Sequence, residues 1–322
     1  MTDLAWIPTA TPSLKAFLGF DLQPIPVIPV IAGLVALAYV IGWIRLAVQK
    51  RPWPAWRGIL FLIGCLLLAA TMGLAIEGYG QVMFSAFMFQ QMTLMMAVPP
   101  LLLLGAPGTL LLRSTPRNLP GRMVLRTAIF GLRSWPGKII VHPLFSIPLF
   151  LALFYGLYLS DAASWVFNQG IGVHIALELV FLFTGIVFNA TLIPADPLPV
   201  PESHVVRIFH SFMEAGLHAF FGVIVMMAAL PLVDRFAQLP PRWGIDPMED
   251  QKLAGGIAWA YGEGPAVIIL LIILITWFRQ ESKNNKIRDR EVAMHGDKEL
   301  DAYNDYLRQL AESEGRGSTA ER

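Results

Sequence analysis

Three ionisable residues stand four positions apart in one long apolar stretch of the chain: His210, Glu214 and His218. At 3.6 residues per turn, that spacing places them along one stripe of a helix. A second apolar stretch holds His174 and Glu178 at the same spacing, and a third holds Glu263. Ionisable side chains are costly in hydrocarbon, so they face the interior of a helix bundle and mark functional sites by default. Imidazole and carboxylate together suit copper(II), zinc or iron. The same groups also build proton relays, and a Glu paired with the His one turn away can simply pin helix packing. Spacing alone leaves the three readings open.

A methionine-rich stretch adds softer chemistry. Met83, Met88, Met92, Met95 and Met96 crowd residues 82–104, and Met88, Met92 and Met95 share one helical face. Thioethers suit copper(I), although methionine also fills gaps in apolar helices. The candidate metal ligands are therefore His174, Glu178, Glu214, His218, Met88 and Met92, expected to face one polar cavity between neighbouring helices. Gln90 and Gln91 read as polar glue between helices. His142, His204 and His295 read as structural or solvated, and Cys65 as a small buried hydrophobe. A single cysteine excludes an internal disulfide and a zinc ribbon. With no phosphate loop, GxSxG or CxxC, the chain reads as a non-enzyme with no catalytic residue.

The elements that must position these residues are membrane helices. Of 322 residues, 55% are hydrophobic and only 15% charged, with a mean hydropathy of +0.57; soluble proteins carry roughly 25% charged residues. The formal net charge of +1 makes no electrostatic case for nucleic acid. About 20 apolar residues cross a bilayer, and seven stretches qualify: residues 27–47, 58–76, 82–104, 142–160, 170–190, 205–232 and 256–278. The expected fold is all-α, a polytopic membrane bundle of about seven transmembrane helices.

Lys and Arg bias sets the orientation. With the N-terminus outside, twenty Lys and Arg fall on the inner side and only Lys15, Arg235, Arg242 and Lys252 outside. Residues 1–26 then form an extracytoplasmic leader anchored by Trp6, residues 27–278 the transmembrane domain, and residues 279–322 a cytoplasmic tail. In the tail, Leu300, Tyr303, Leu307 and Leu310 share a face of a short amphipathic helix, and residues 312–322 read as disordered. Pro99-Pro100 should end or kink the third helix, and Gly262 with Pro265 should shorten or break the seventh.

The order of several short motifs resembles the caa3-type cytochrome c oxidase assembly factors of bacteria, the CtaG family, in its actinobacterial branch. Lys50-Arg51-Pro52-Trp53-Pro54 resembles the family's turn after the first span. Residues 85–92, followed by Pro99-Pro100 and the run to Pro107, resemble its third-span segment. His142-Pro143, Asp196-Pro197, His218-Ala219-Phe220-Phe221-Gly222, Asp250-Gln251 with Gly255 and Trp259, and Ala302-Tyr303-Asn304 with Leu307 complete the likeness. The family's His-x3-His in the third span is Phe87 and Gln91 here, and in the fifth span it is His174 and Glu178. The resemblance implies a chaperone-like membrane assembly factor for an aa3- or caa3-type oxidase, acting through copper handling or delivery. Its partners would be cytochrome c oxidase subunits and membrane lipid, its place the bacterial cell membrane. The alternative is a metal-free scaffold or accessory subunit of the oxidase complex. A haem- or quinone-binding enzyme needs facing histidines at matched depth, which His174 and the His210/His218 pair do not supply.

Overall fold

The computed structural model describes residues 7–20, 26–116, 118–140, 142–197, 203–296 and 298–319. Trp6, Pro199 and Pro201 lie outside the described residues. Among those described there is helix and no strand. The order is α1 (Leu14–Phe17), α2 (Val27–Val48), α3 (Ala55–Gly73), α4 (Ile76–Gly80), α5 (Phe84–Met92), α6 (Val98–Leu104), α7 (Pro107–Ser114), α8 (Leu119–Arg133), α9 (Trp135–Ile140), α10 (Pro143–Leu151), α11 (Ala162–Phe167), α12 (Ile171–Leu192), α13 (His204–Met227), α14 (Pro247–His295) and α15 (Lys298–Thr319).

Six helical stretches among the described residues are long and apolar enough to cross a membrane, and a shorter apolar one covers Leu144–Gly156. The protein is a multi-pass, all-α membrane protein. The shorter stretch coincides with the expected fourth span; α10 leads there into a wide π turn at Ala152–Gly156.

Two units divide the chain, the first ending at Ile273 and the second beginning at Leu274. In the first, α3 packs on α2 and α6, and α12 packs on α6, α10 and the turn between α5 and α6. The second unit contains the end of α14, a left-handed turn at Gly296 (φ 75°) and α15. The tail helix is longer than the periodicity of residues 301–310 indicates. It runs to Thr319, where the composition reads as disordered, and residues 320–322 lie outside the described set.

Pro99 and Pro100 do not end the third span. They lie at the start of α6, and the helix before them relaxes into a π turn at Thr93–Ala97. Pro99 leaves the carbonyl of Met95 without its usual helical donor. The buried Asn189 side chain fills that role, Nδ2 donating to Met95 O at 3.2 Å. Similarly, α14 continues through Gly262 and Pro265. Ala258, Ala266 and Ile269 are buried on either side of the proline, so both sides of it are packed into the bundle.

Two carboxylates, Asp250 buried and Asp196 half-buried, start two helices. Asp250 reaches back across 166 residues to accept from Phe84 N at 2.7 Å, and Ser85 Oγ donates to its other oxygen. Asp196 accepts from Gly108 N at 2.8 Å and Thr109 N at 2.6 Å, where Ala106 adopts the left-handed conformation (φ 48°) that turns the chain into α7. Helix N-caps of this kind contribute about 0.5–2 kcal/mol. Asp250→Ala should therefore cost about 2 kcal/mol, the upper end, because the cap is buried. Thermal unfolding in detergent measures this, and an unchanged midpoint would refute the capping role.

Candidate metal centre

The break between α3 and α4 creates the site. Leu74 leaves the helix with extended backbone (φ −90°, ψ 174°), and the single turn of α4 that follows points Glu77 inward, 1% exposed. There it meets α12. His174 Nε2 lies 3.3 Å from Glu77 Oε1 and 3.0 Å from Glu178 Oε1. One nitrogen and two carboxylate oxygens from these residues all lie within 4.8 Å of one another, and all three residues are buried. It is the one such group of His, Cys, Asp or Glu donors among the described residues.

Neighbours fix the carboxylates. Gln90 Nε2 on α5 donates to Glu77 Oε2 at 2.5 Å, and Gln81 Nε2 donates to Oε1 at 3.1 Å. Gly80 leaves room for this arrangement, since a Cβ on it would lie 1.9 Å from the Gln90 side-chain oxygen and force that amide to move. The imidazole sits between aromatic rings, with the centroid of Phe87 at 5.9 Å and of Phe167 at 5.8 Å. Phe87 holds one of the positions where the family pattern has an imidazole, so a ring of that size faces His174 without offering a ligand. His174 Nδ1 has no hydrogen-bond partner among the described residues.

Glu77 was not among the residues singled out by spacing. Its signal was positional: it is the sole acidic residue between Asp21 and Asp161, set in an apolar stretch among Gly73, Gly78 and Gly80. The i, i+4 rule finds partners within one helix and misses a ligand delivered from another.

The other expected ligands have different surroundings. His218 is fully buried on α13, and its Nδ1 lies 2.8 Å from the backbone oxygen of Glu214. Glu214 is also buried, its Oε2 without a partner among the described residues. Neither belongs to the Glu77 group. Met88 and Met92 are fully buried in the apolar core on α5. The third-span position Gln91 accepts from Tyr158 Oη and directs Nε2 toward Met95 Sδ at 3.7 Å. His210 is buried with its ring 6.4 Å from Phe188, while Glu263 is exposed on α14. His142 caps α10 by accepting from Leu144 N at 3.2 Å, a structural role. Cys65 is buried beside Tyr39, Phe61 and Leu110.

Comparison with known proteins adds an independent line. A family model described as cytochrome c oxidase caa3 assembly factor (Caa3_CtaG) matches residues 37–280, which include Glu77, His174, Glu178, Glu214 and His218. Similar curated proteins, each described as uncharacterised, come from Mycobacterium bovis and Mycobacterium tuberculosis, at 32% identity over 97% of this chain and 50% of their own length. One from Mycobacterium leprae is 30% identical over 92% of this chain and 47% of its own. The chain thus spans about half the length of the curated relatives it matches. No solved structure matches it.

Proposed function

The chain belongs to the cytochrome c oxidase caa3 assembly factor family, and from that premise we propose that it supplies copper during assembly of a haem-copper oxidase in the bacterial cell membrane. The observation that carries the copper reading is the buried Glu77–His174–Glu178 group. One imidazole and two carboxylates suit a divalent ion such as copper(II) or zinc. Burying two carboxylates together is expensive unless a cation or hydrogen-bond donors offset their charge, and the position of His174 between them supports a site built for positive charge. Copper is the cargo in this reading. Glu77, His174 and Glu178 hold it, and Gln90 and Gln81 orient the first carboxylate. His218, Glu214, Met88 and Met92 are buried elsewhere in the same protein. The partners are oxidase subunits within the lipid.

Deleting the gene should lower active aa3- or caa3-type oxidase severalfold, and added copper should restore part of it. Normal oxidase levels in the deletion strain under copper limitation would reject the assembly role. Metal analysis of the detergent-purified chain separates cargo binding from the alternative. A His174 paired with its two carboxylates and no bound ion would favour a metal-free scaffold on the oxidase.

The proposed topology has seven spans, the leader of residues 1–26 outside and the tail from residue 279 in the cytoplasm. The twenty-to-four distribution of Lys and Arg supports it. The continuous helix at residues 143–158 would be about 24 Å long at 1.5 Å per residue, close to a hydrocarbon core of about 30 Å. Reporter fusions after Gln81, Leu119 and Arg279 should read outside, inside and inside; an outside signal after Arg279 would overturn the assignment.

A further inference from the structure

We propose that His218 and Met96 form a second ion site, one that takes a soft monovalent cation of the copper(I) type and is separate from the divalent group at Glu77. The inference deepens the copper reading and rests on it only for the identity of the natural ion.

The first support is the state of the His218 ring. Its Nδ1 lies 2.8 Å from the backbone carbonyl oxygen of Glu214. A carbonyl oxygen accepts and never donates, so Nδ1 carries the proton. In the neutral ring the lone pair then belongs to Nε2. Metal-binding imidazoles are fixed in the same way, the far nitrogen donating to a carbonyl so that the near one is presented to the ion. Nε2 is buried and has no hydrogen-bond partner among the described residues.

The second support is what Nε2 faces. Gly262 on α14 lies against it. A Cβ placed on Gly262 would sit 2.4 Å from His218 Nε2 and 2.8 Å from Met96 Sδ. The imidazole lone pair and the thioether sulfur therefore converge on one glycine, in a place where both residues are no more than 2% exposed. Neither atom can donate a hydrogen bond to the other. Two converging lone pairs in a buried place are a poor arrangement for packing alone and a good one for a cation. Imidazole with thioether selects copper(I), whereas magnesium and calcium seek oxygen. Glu214, one turn away on the same stripe, has a buried carboxyl oxygen without a partner among the described residues.

The chain thus offers nitrogen and oxygen donors at Glu77, and nitrogen and sulfur donors at His218. The two donor sets differ in the ion they prefer, and two probes can read them in one preparation. Silver(I) stands in for copper(I) without redox chemistry, and zinc reads the Glu77 group. The detergent-purified full chain should hold one silver ion against a competing thioether ligand, with zinc binding measured alongside. Met96→Leu conserves volume and should weaken silver binding at least tenfold while leaving zinc binding and the melting curve unchanged. Gly262→Ala closes the notch and should also weaken silver binding while zinc binding is retained. With copper(I) supplied under reducing conditions, X-ray absorption should show a sulfur neighbour that Met96→Leu removes. Silver affinity unchanged by Met96→Leu, or lost in Glu77→Gln instead, would overturn the proposal. A wild-type chain that takes up silver but no zinc would count against the Glu77 reading and leave this one standing.

Discussion

Valine at Gly222 or Gly255 is expected to leave little folded protein in the membrane. The two glycines face each other where α13 crosses α14. A Cβ on Gly222 would meet Gly255 O and Trp259 N at 2.7 Å; one on Gly255 would meet Gly222 O and Met226 N at 2.6 Å. These are backbone atoms, which cannot rotate away as the end of a side chain can. A larger residue must therefore push the helices apart along their crossing. Close helix approach through small residues is the main means by which membrane helices associate without a hydrophobic drive between them. Overpacking a tight core costs about 1–3 kcal/mol and sometimes more. With rigid atoms on both sides, about 3 kcal/mol or more is expected, a large part of the roughly 5–15 kcal/mol that holds a domain together. Membrane abundance and the size-exclusion profile of a fluorescent fusion report this directly. Gly216→Ala on the same helix is the control: a Cβ there meets nothing within 4 Å, and alanine should add about 0.5–1 kcal/mol through helix propensity. A monodisperse Gly222→Val protein at normal abundance would refute the crossing as a structural requirement. The same crossing sets His218, one turn before Gly222, against Gly262, two turns after Gly255.

That geometry explains what the sequence made legible and what it did not. Apolar length and sparse charge were enough for a multi-pass helical bundle, because the bilayer imposes one simple condition on each span. The motif His218-Ala219-Phe220-Phe221-Gly222 was visible, and its parts now have separate causes: His218 and Phe221 are buried, Phe220 is 70% exposed, and Gly222 makes the crossing. Asp250 and Asp196, noticed only as family-like marks, prove to be caps for helices far away in sequence. Such roles are not readable from spacing, since the donor and acceptor are brought together by the fold. The helix end expected at Pro99-Pro100 and the break expected at Pro265 did not occur for a related reason. A proline's missing N–H is a local fact, but whether the helix breaks depends on partners such as Asn189, more than 90 residues away. Glu77 escaped notice because it sits alone on its own short turn, and its partners come from α5 and α12.

The largest functional effect should follow from that residue. Glu77→Gln keeps the size of the side chain and removes one of three possible ligand atoms that lie within 4.8 Å of one another. It also replaces an acceptor with an amide, so that one contact to Gln90 or Gln81 changes from donor–acceptor to donor–donor. Loss of an outer partner of a metal ligand typically lowers affinity 10–100-fold, and loss of a ligand itself should do at least as much. Zinc or copper(II) retained by the purified protein should therefore fall about 100-fold in affinity, and oxidase activity in cells should fall towards that of the deletion strain. Glu77→Gln is a better probe than His174→Ala. Removing the imidazole would leave Glu77 and Glu178 buried without the ring that lies against both, a change that costs about 3–5 kcal/mol and would confuse folding with binding. Glu249→Gln is the matching control, because Glu249 forms an exposed pair with Lys252 at the start of α14 and touches none of the buried donors. Membrane abundance must stay normal in both variants for the comparison to count. If Glu77→Gln retains the metal and supports full oxidase activity while Glu249→Gln does the same, the buried triad serves packing and the copper reading fails at this site. If it loses the metal and the oxidase together, the turn that carries Glu77 inward is what makes this bundle a metal carrier.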